Sequence, residues 1–138
     1  MIKEGRERME AHRGTLTTEQ MELVLGALPC DLSFADEHDV LCFWKGRTYK
    51  SCSERFIGRD VRDCHAGHSM AVLEEILSAF RSGAKDVAEG WRQDGERFKY
   101  TRYSAVRDGS GAYRGILEVN HDITDLRALE GAQPLPGW

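Results

Sequence analysis

No apolar run in this chain approaches the ~20 residues that a membrane-spanning helix requires. Its first eight residues, from Met1 to Arg8, are mostly charged and lack the apolar core of an export signal, so a cytoplasmic location is expected. Positive charge is not in excess either. Nineteen Lys and Arg stand against 23 Asp and Glu, a formal charge of −4, whereas phosphate binding needs clustered cations. Nucleic acid is therefore not an expected partner, and neither is a membrane. A Gly-rich phosphate loop, a Gly-x-Ser-x-Gly elbow, a zinc-protease helix and a kinase set are all missing, and the many carboxylates are scattered. These absences argue against an enzyme. Internal repeats and low-complexity stretches are also lacking.

Cysteine is sparse, at four residues, and the paired spacing of common zinc sites is absent. Without an export signal the thiols are expected to stay reduced. Cys30 and Cys42 lie in or beside apolar segments and read as small core hydrophobes. Cys52 and Cys64 fall in a more polar stretch where chemistry is open to them.

What is present suits one soluble domain. The chain has 138 residues, 41% apolar and 30% charged, enough to bury roughly two-thirds of its unfolded surface. Residues 1–16 form a charged lead-in, 17–131 the domain and 132–138 a tail. Thr17 with Gln20 three residues on makes a capping box, and Met21, Val24, Leu25 and Leu28 follow at helical spacing until Pro29. That helix, over about 18–28, could lay its apolar stripe on its own sheet or on a second subunit. Residues 32–36 and 40–44 read as short strands around a polar turn. Short helical turns and loops are expected over 46–68. A longer helix follows, with Ser69 as its cap, Leu73, Ile76, Leu77 and Phe80 as its apolar face, and Gly83 as its left-handed end. Val87 to Trp91 reads as a strand turning at Asp94-Gly95.

The last third is the clearest. Residues 97–122 alternate on both sides of Asp108-Gly109-Ser110-Gly111, which predicts a hairpin of two long strands. The second strand runs into Asp122-Ile123-Thr124 and a charged, helix-forming tail. The architecture is α+β: a five-stranded antiparallel sheet with helices packed on one face, plus the N-terminal amphipathic helix.

A strand ending in Asp-Ile-Thr before a helix resembles the close of PAS sensor domains. Further stretches extend the likeness: Leu28 to Asp36, Ile57 to His65, Ser82 to Glu89, Tyr103 to Asp108, Gly115 to Val119 and Leu129 to Gly131. Together they resemble one PAS subfamily often found C-terminal to hemerythrin-like domains. Its members usually follow Cys-His with Pro-Pro-Lys-Ser; here Cys64-His65 leads into Ala66-Gly67-His68-Ser69, a histidine in place of the lysine. The resemblance implies a PAS fold and a small-molecule sensor, with the ligand held between the sheet and the longer helix. It also implies that the Asp122–Thr124 junction couples the core to an output. Fourteen residues follow Thr124, so the output is expected to be a homodimer rearrangement or a separate effector protein.

Candidate ligand contacts are His65, Cys64, Arg59, Trp91, Tyr103 and Arg102. The arginines would clamp a carboxylate or a haem propionate, and the aromatic residues would line a planar-ligand pocket or simply fill the core. His65 and His68, three apart, with Cys64 or Cys52, would give a set suited to zinc, iron or haem iron. The plainer reading has His65 satisfying backbone groups and His68 facing solvent. The cofactor stays unknown, haem being the one this set would admit. A ligand-free dimerisation adaptor and a Cys/His metal or redox sensor are the alternatives.

Overall fold

The computed structural model describes residues 13–46, 54–65 and 67–137. The charged lead-in up to residue 12 and Cys52 therefore lie outside the described residues. Helix α1 (Thr18–Ala27) opens on the expected capping box: Gln20 N–H donates to Thr17 Oγ1 at 3.1 Å, and Thr17 N–H donates to Gln20 Oε1 at 2.9 Å. None of its residues is buried; Met21, Val24, Leu25 and Leu28 are all exposed.

Strands β1 (Asp31–Asp36) and β2 (Leu41–Lys45) follow, then two short 3-10 turns at Glu54–Phe56 and Val61–Cys64. Helix α2 (His68–Ser82) leads to β3 (Val87–Asp94), β4 (Arg97–Arg107) and β5 (Tyr113–Asp122). The five strands make one antiparallel sheet in the order β2-β1-β5-β4-β3. The hairpin seen in the alternation is β4 and β5, and β1 crosses over to pair with the far side of β5.

Ser69 does not cap α2. Gly67 holds that position at φ 56°, and the helix begins two residues earlier than a Ser69 cap implies, at His68. The C-terminal cap is Gly83 at φ 78°, the left-handed turn expected of glycine. A helical tail is not formed: one 3-10 turn, Leu126–Ala128, follows β5, and residues 129–137 are irregular. Gly131, Pro134 and Pro136 fall where a helix would have to continue, and each breaks it.

The core lies between α2 and the sheet, built from Ala35, Val61, Leu73, Leu77, Phe80 and Ile116. Phe80 is 0% exposed, and burying such a side chain contributes up to roughly 3 kcal/mol. Polar contacts clamp the same helix. The Asp39 carboxylate accepts from Arg62 at 2.8 Å and from Arg81 at 2.5 Å, tying the β1–β2 turn to the second 3-10 turn and to α2. Asp39 has φ 63°, a conformation Asp tolerates better than most side chains.

Across the helix-facing side of the sheet, register sorts residues into rungs of rising polarity. Ala35, Ile116 and Ala105 form an apolar rung beneath α2. Next come Ser33, Glu118, Tyr103 and Ala88, then Asp31, Asn120, Thr101 and Gly90. Asp122, Lys99 and Arg92 form the last.

Candidate functional site

A cavity of about 530 Å³ opens where α2 begins, over the polar rungs. It takes walls from the second 3-10 turn, from α2 and from strands β3, β4 and β5. Small residues on β3 make the room. Gly90, opposite Thr101, has no side chain, and a Cβ there would meet nothing within 4 Å.

Glu118 is the hub of the floor. It stands between Ser33 and Tyr103 in register, accepting from Ser33 Oγ at 3.3 Å and from Asn120 Nδ2 at 3.0 Å. Asn120 Oδ1 in turn accepts from Thr101 Oγ1 at 2.7 Å. Burial, reinforced by the Glu118 charge and a hydrogen bond to it, pushes the Tyr103 hydroxyl far above its ordinary pKa. The Tyr103 hydroxyl is thus biased to keep its proton. Burial lowers the His65 pKa, against the pull of Glu118, so the imidazole is biased to its neutral form. Its Nδ1 lies 2.6 Å from Ser69 Oγ, which explains what Ser69 does instead of capping the helix.

Of the expected contacts, Cys64, His65, His68 and Tyr103 line this cavity together. Trp91 lies at its rim, 63% exposed. Arg102 and Arg59 do not line it. Arg102 immediately precedes Tyr103 on a strand, and the two-residue period sends it to the other face, where it pairs with Glu89 and Val119 in register. Arg59 is engaged with Asp63 at 3.0 Å and lies over the Phe56 ring. The cations that do reach the cavity are Lys99 and Arg92, which sequence reasoning passed over along with Glu118 and Thr101. Counting by twos from Tyr103 along β4 would have found Thr101 and Lys99.

Cys64 is in a disulfide, contrary to the expectation of reduced thiols, whereas Cys30 and Cys42 are free. A sulfur so bound is no metal ligand. Among the described residues, no three His, Cys, Asp or Glu side chains come together to hold a metal. Haem does not suit the lining either. His65 and His68 are the axial donors left in the lining, and a macrocycle laid on the floor would strip water from Glu118, Thr101, Lys99 and Arg92.

At the end of β5 the Asp-Ile-Thr sequence makes a compact knot. Thr124 N–H and Oγ1 both donate to Asp122 Oδ1, at 3.0 and 2.5 Å, and Arg97 Nε donates to Asp122 Oδ2 at 2.5 Å. Thr124 Oγ1 accepts from Phe98 N–H at 2.8 Å, which pins the exit of the chain to the start of β4. The Thr124 hydroxyl, then Arg97, hold the Asp122 carboxyl down at about 2. A second hollow, of about 520 Å³, lies between the end of α1 and the ends of β1, β2 and β5, and Asp122 is part of its wall.

A family profile described as "PAS domain" matches residues 21–124. No protein of curated function matches the chain. Among solved structures, the C-terminal domain of a Streptococcus mutans protein has a TM-score of 0.79 at 28% identity, over 86% of this chain and 94% of that one. A PAS domain from Colwellia psychrerythraea gives 0.55 at 18% identity, over 78% and 97%. A sensory box sensor histidine kinase from Vibrio cholerae gives 0.53 at 10%, over 75% and 88%. In these last two the likeness is one of fold.

Proposed function

This chain belongs to the PAS domain family, and we propose that it works as a sensory module that binds a small molecule between α2 and the sheet and passes the event to a protein partner. The observation that carries this reading is the cavity of about 530 Å³, within the ~300–1,000 Å³ typical of small-molecule sites. Its polar groups converge from separate elements, as a specific site requires. The solved relatives with a PAS fold include a sensor histidine kinase, which supports a signalling role. The motifs shared with the subfamily that follows hemerythrin-like domains suggest that this subfamily is the nearest setting for the chain. No described helix is long and apolar enough to cross a membrane, in keeping with a cytoplasmic module.

Coupling to the output runs through the last rung. Lys99 lines the cavity and is the register partner of Asp122, which holds Thr124 and hence the exit of the chain. A ligand that binds two arrangements of this rung with different affinity shifts their populations. The receiving surface is α1 with its capping residue, where Met21, Leu23, Val24, Leu25 and the cap Leu28 lie exposed, and its fitting occupant is a second copy of the chain.

The test is native mass spectrometry of the protein purified from cells, with light scattering before and after removal of bound molecules. A retained small molecule, displaced by Gly90→Leu, and a dimer whose dissociation shifts on its removal are expected. A protein that carries nothing, with amide spectra indifferent to a metabolite library, would leave only the ligand-free adaptor.

A further inference from the structure

The sheet has two edges, β2 and β3, and the fold treats them differently. The β2 edge is covered. Leu41 N–H donates to the Arg59 carbonyl at 2.9 Å, and the Leu41 carbonyl accepts from Gly58 N–H at 2.8 Å. Its ladder with β1 also slips between Phe34 and Ala35, an irregularity of the kind that blunts an edge. At the other edge β3 runs from Val87 to Asp94 with no break in register, no proline and no lysine.

The hydrogen bonding shows which β3 backbone groups are free. Ala105 N–H donates to the Asp86 carbonyl at 2.9 Å, one step beyond the Val87–Ser104 pair. Bonded pairs alternate along an antiparallel ladder, so Ala88, Gly90, Arg92 and Asp94 turn toward β4. Val87, Glu89, Trp91 and Gln93 turn their N–H and C=O groups outward, and no backbone group among the described residues bonds to them. Their side chains do not shield this edge. Glu89 is drawn back by the Tyr100 hydroxyl at 2.5 Å, and Gln93 Nε2 donates to the Gly95 and Arg97 carbonyls of the turn. Val87 and Trp91 are left 38% and 63% exposed.

We propose that β3 pairs antiparallel with β3 of a second copy, about a two-fold axis at Gly90, so that two sheets become one. The strand is self-complementary in that register. Val87 faces the second copy's Gln93, and Glu89 faces its Trp91, which gives every outward N–H a carbonyl. The two Trp91 rings become diagonal neighbours, within reach of one another across the strands. Sliding the pairing one way sets Glu89 against Glu89; sliding it the other way leaves Val87 without a partner. Asp86, which comes opposite the second copy's Asp94, already has Arg107 at 2.9 Å. This contact requires neither an occupied cavity nor the apolar surface of α1.

Amide hydrogen exchange of the full chain, followed by NMR over a range of protein concentrations beside sedimentation velocity, tests it. The Ala88, Gly90 and Arg92 amides should be protected at every concentration. Those of Val87, Glu89, Trp91 and Gln93 should gain about tenfold or more in protection as the dimer forms. Glu89→Pro removes an outward N–H and none that bonds β4, so it should abolish that gain and keep Gly90 and Arg92 protected. Should that variant fail to fold, Trp91→Ala takes its place and should weaken self-association about tenfold. A dimer in which the four outward amides exchange as fast as in the monomer overturns the proposal and assigns the contact to another surface. A monomer at all concentrations overturns it as well, and neither result touches ligand binding in the cavity.

Discussion

Lys99 of β4 stands directly opposite Asp122 of β5, so a wall of the cavity and the start of the exit turn share one rung of the sheet. Asp122 fixes Thr124, and Thr124 takes the N–H of Phe98, the residue next to Lys99. Arg127 closes the loop over the Phe98 ring, 3.7 Å from its centroid. The coupling proposed above needs no longer route than this.

Acid should expose the Asp122 knot. The carboxyl sits at about 2 against an ordinary 3.8, so its folded-state pKa is depressed. Its contribution is therefore complete above about 4 and lost as pH falls toward 2. Denaturant melts of Asp122→Asn should be less stable than wild type at neutral pH, and the gap should close on acidification through that window. A gap that stays constant with pH would assign the difference to something other than this carboxylate.

Asp39 should matter more than any surface charge. Its side chain is 8% exposed and meets both Arg62 and Arg81, which are 30% and 38% exposed. Asp39→Ala takes a carboxylate from Arg62, which keeps Asp60 and Glu74, and from Arg81, which keeps the Glu37 carbonyl, and it puts alanine in a left-handed conformation, at a cost of roughly 2–4 kcal/mol in urea unfolding. Asp39→Asn keeps the backbone preference and should cost less than Asp39→Ala. Equal losses would show that charge, not conformation, sets the whole effect.

Gly115 is expected to accept no side chain. It has φ 150°, and a Cβ would stand 2.2 Å from the Ala35 carbonyl oxygen, a backbone atom in a paired strand. Gly115→Ala should destabilise by about 2 kcal/mol or more, or prevent folding. Gly90→Ala is the control, since a Cβ there meets nothing, and its stability should lie within about 1 kcal/mol of wild type. Similar losses for both would mean that close approach is not what Gly115 serves.

Gly90→Leu should fill the cavity rather than unfold the chain. Its side chain enters open space beside Thr101, and β-propensity favours it over glycine. Thermal unfolding should hold or rise slightly while any bound small molecule is lost. Retention of ligand by a well-folded Gly90→Leu would place the ligand elsewhere, the hollow beside Asp122 being another space of this size among the described residues.

Much of the architecture is local in origin, and so it could be read from the chain alone. Strand alternation, the capping box at Thr17, the left-handed Gly83 and the Asp-Ile-Thr ending each depend on residues within a few positions of one another. That is why the sheet, the longer helix and the junction residues were legible. The tail was misjudged for a related reason: its charged composition suits a helix, but Gly131, Pro134 and Pro136 interrupt it.

The cavity is another matter. Ser33, Glu118, Tyr103 and Ala88 form one rung only because β1, β5, β4 and β3 meet in that order and register, and none of these pairings is written in sequence spacing. A shift of a single residue would carry Arg102 inward and Tyr103 out, since successive side chains point to opposite faces. Which faces are apolar, and where the chain must turn, follow from short-range sterics and hydrophobic period. Which charges meet beneath α2 follows from long-range pairing, and that is why Lys99, Arg92 and Glu118 emerge as a site only once the strands are assembled.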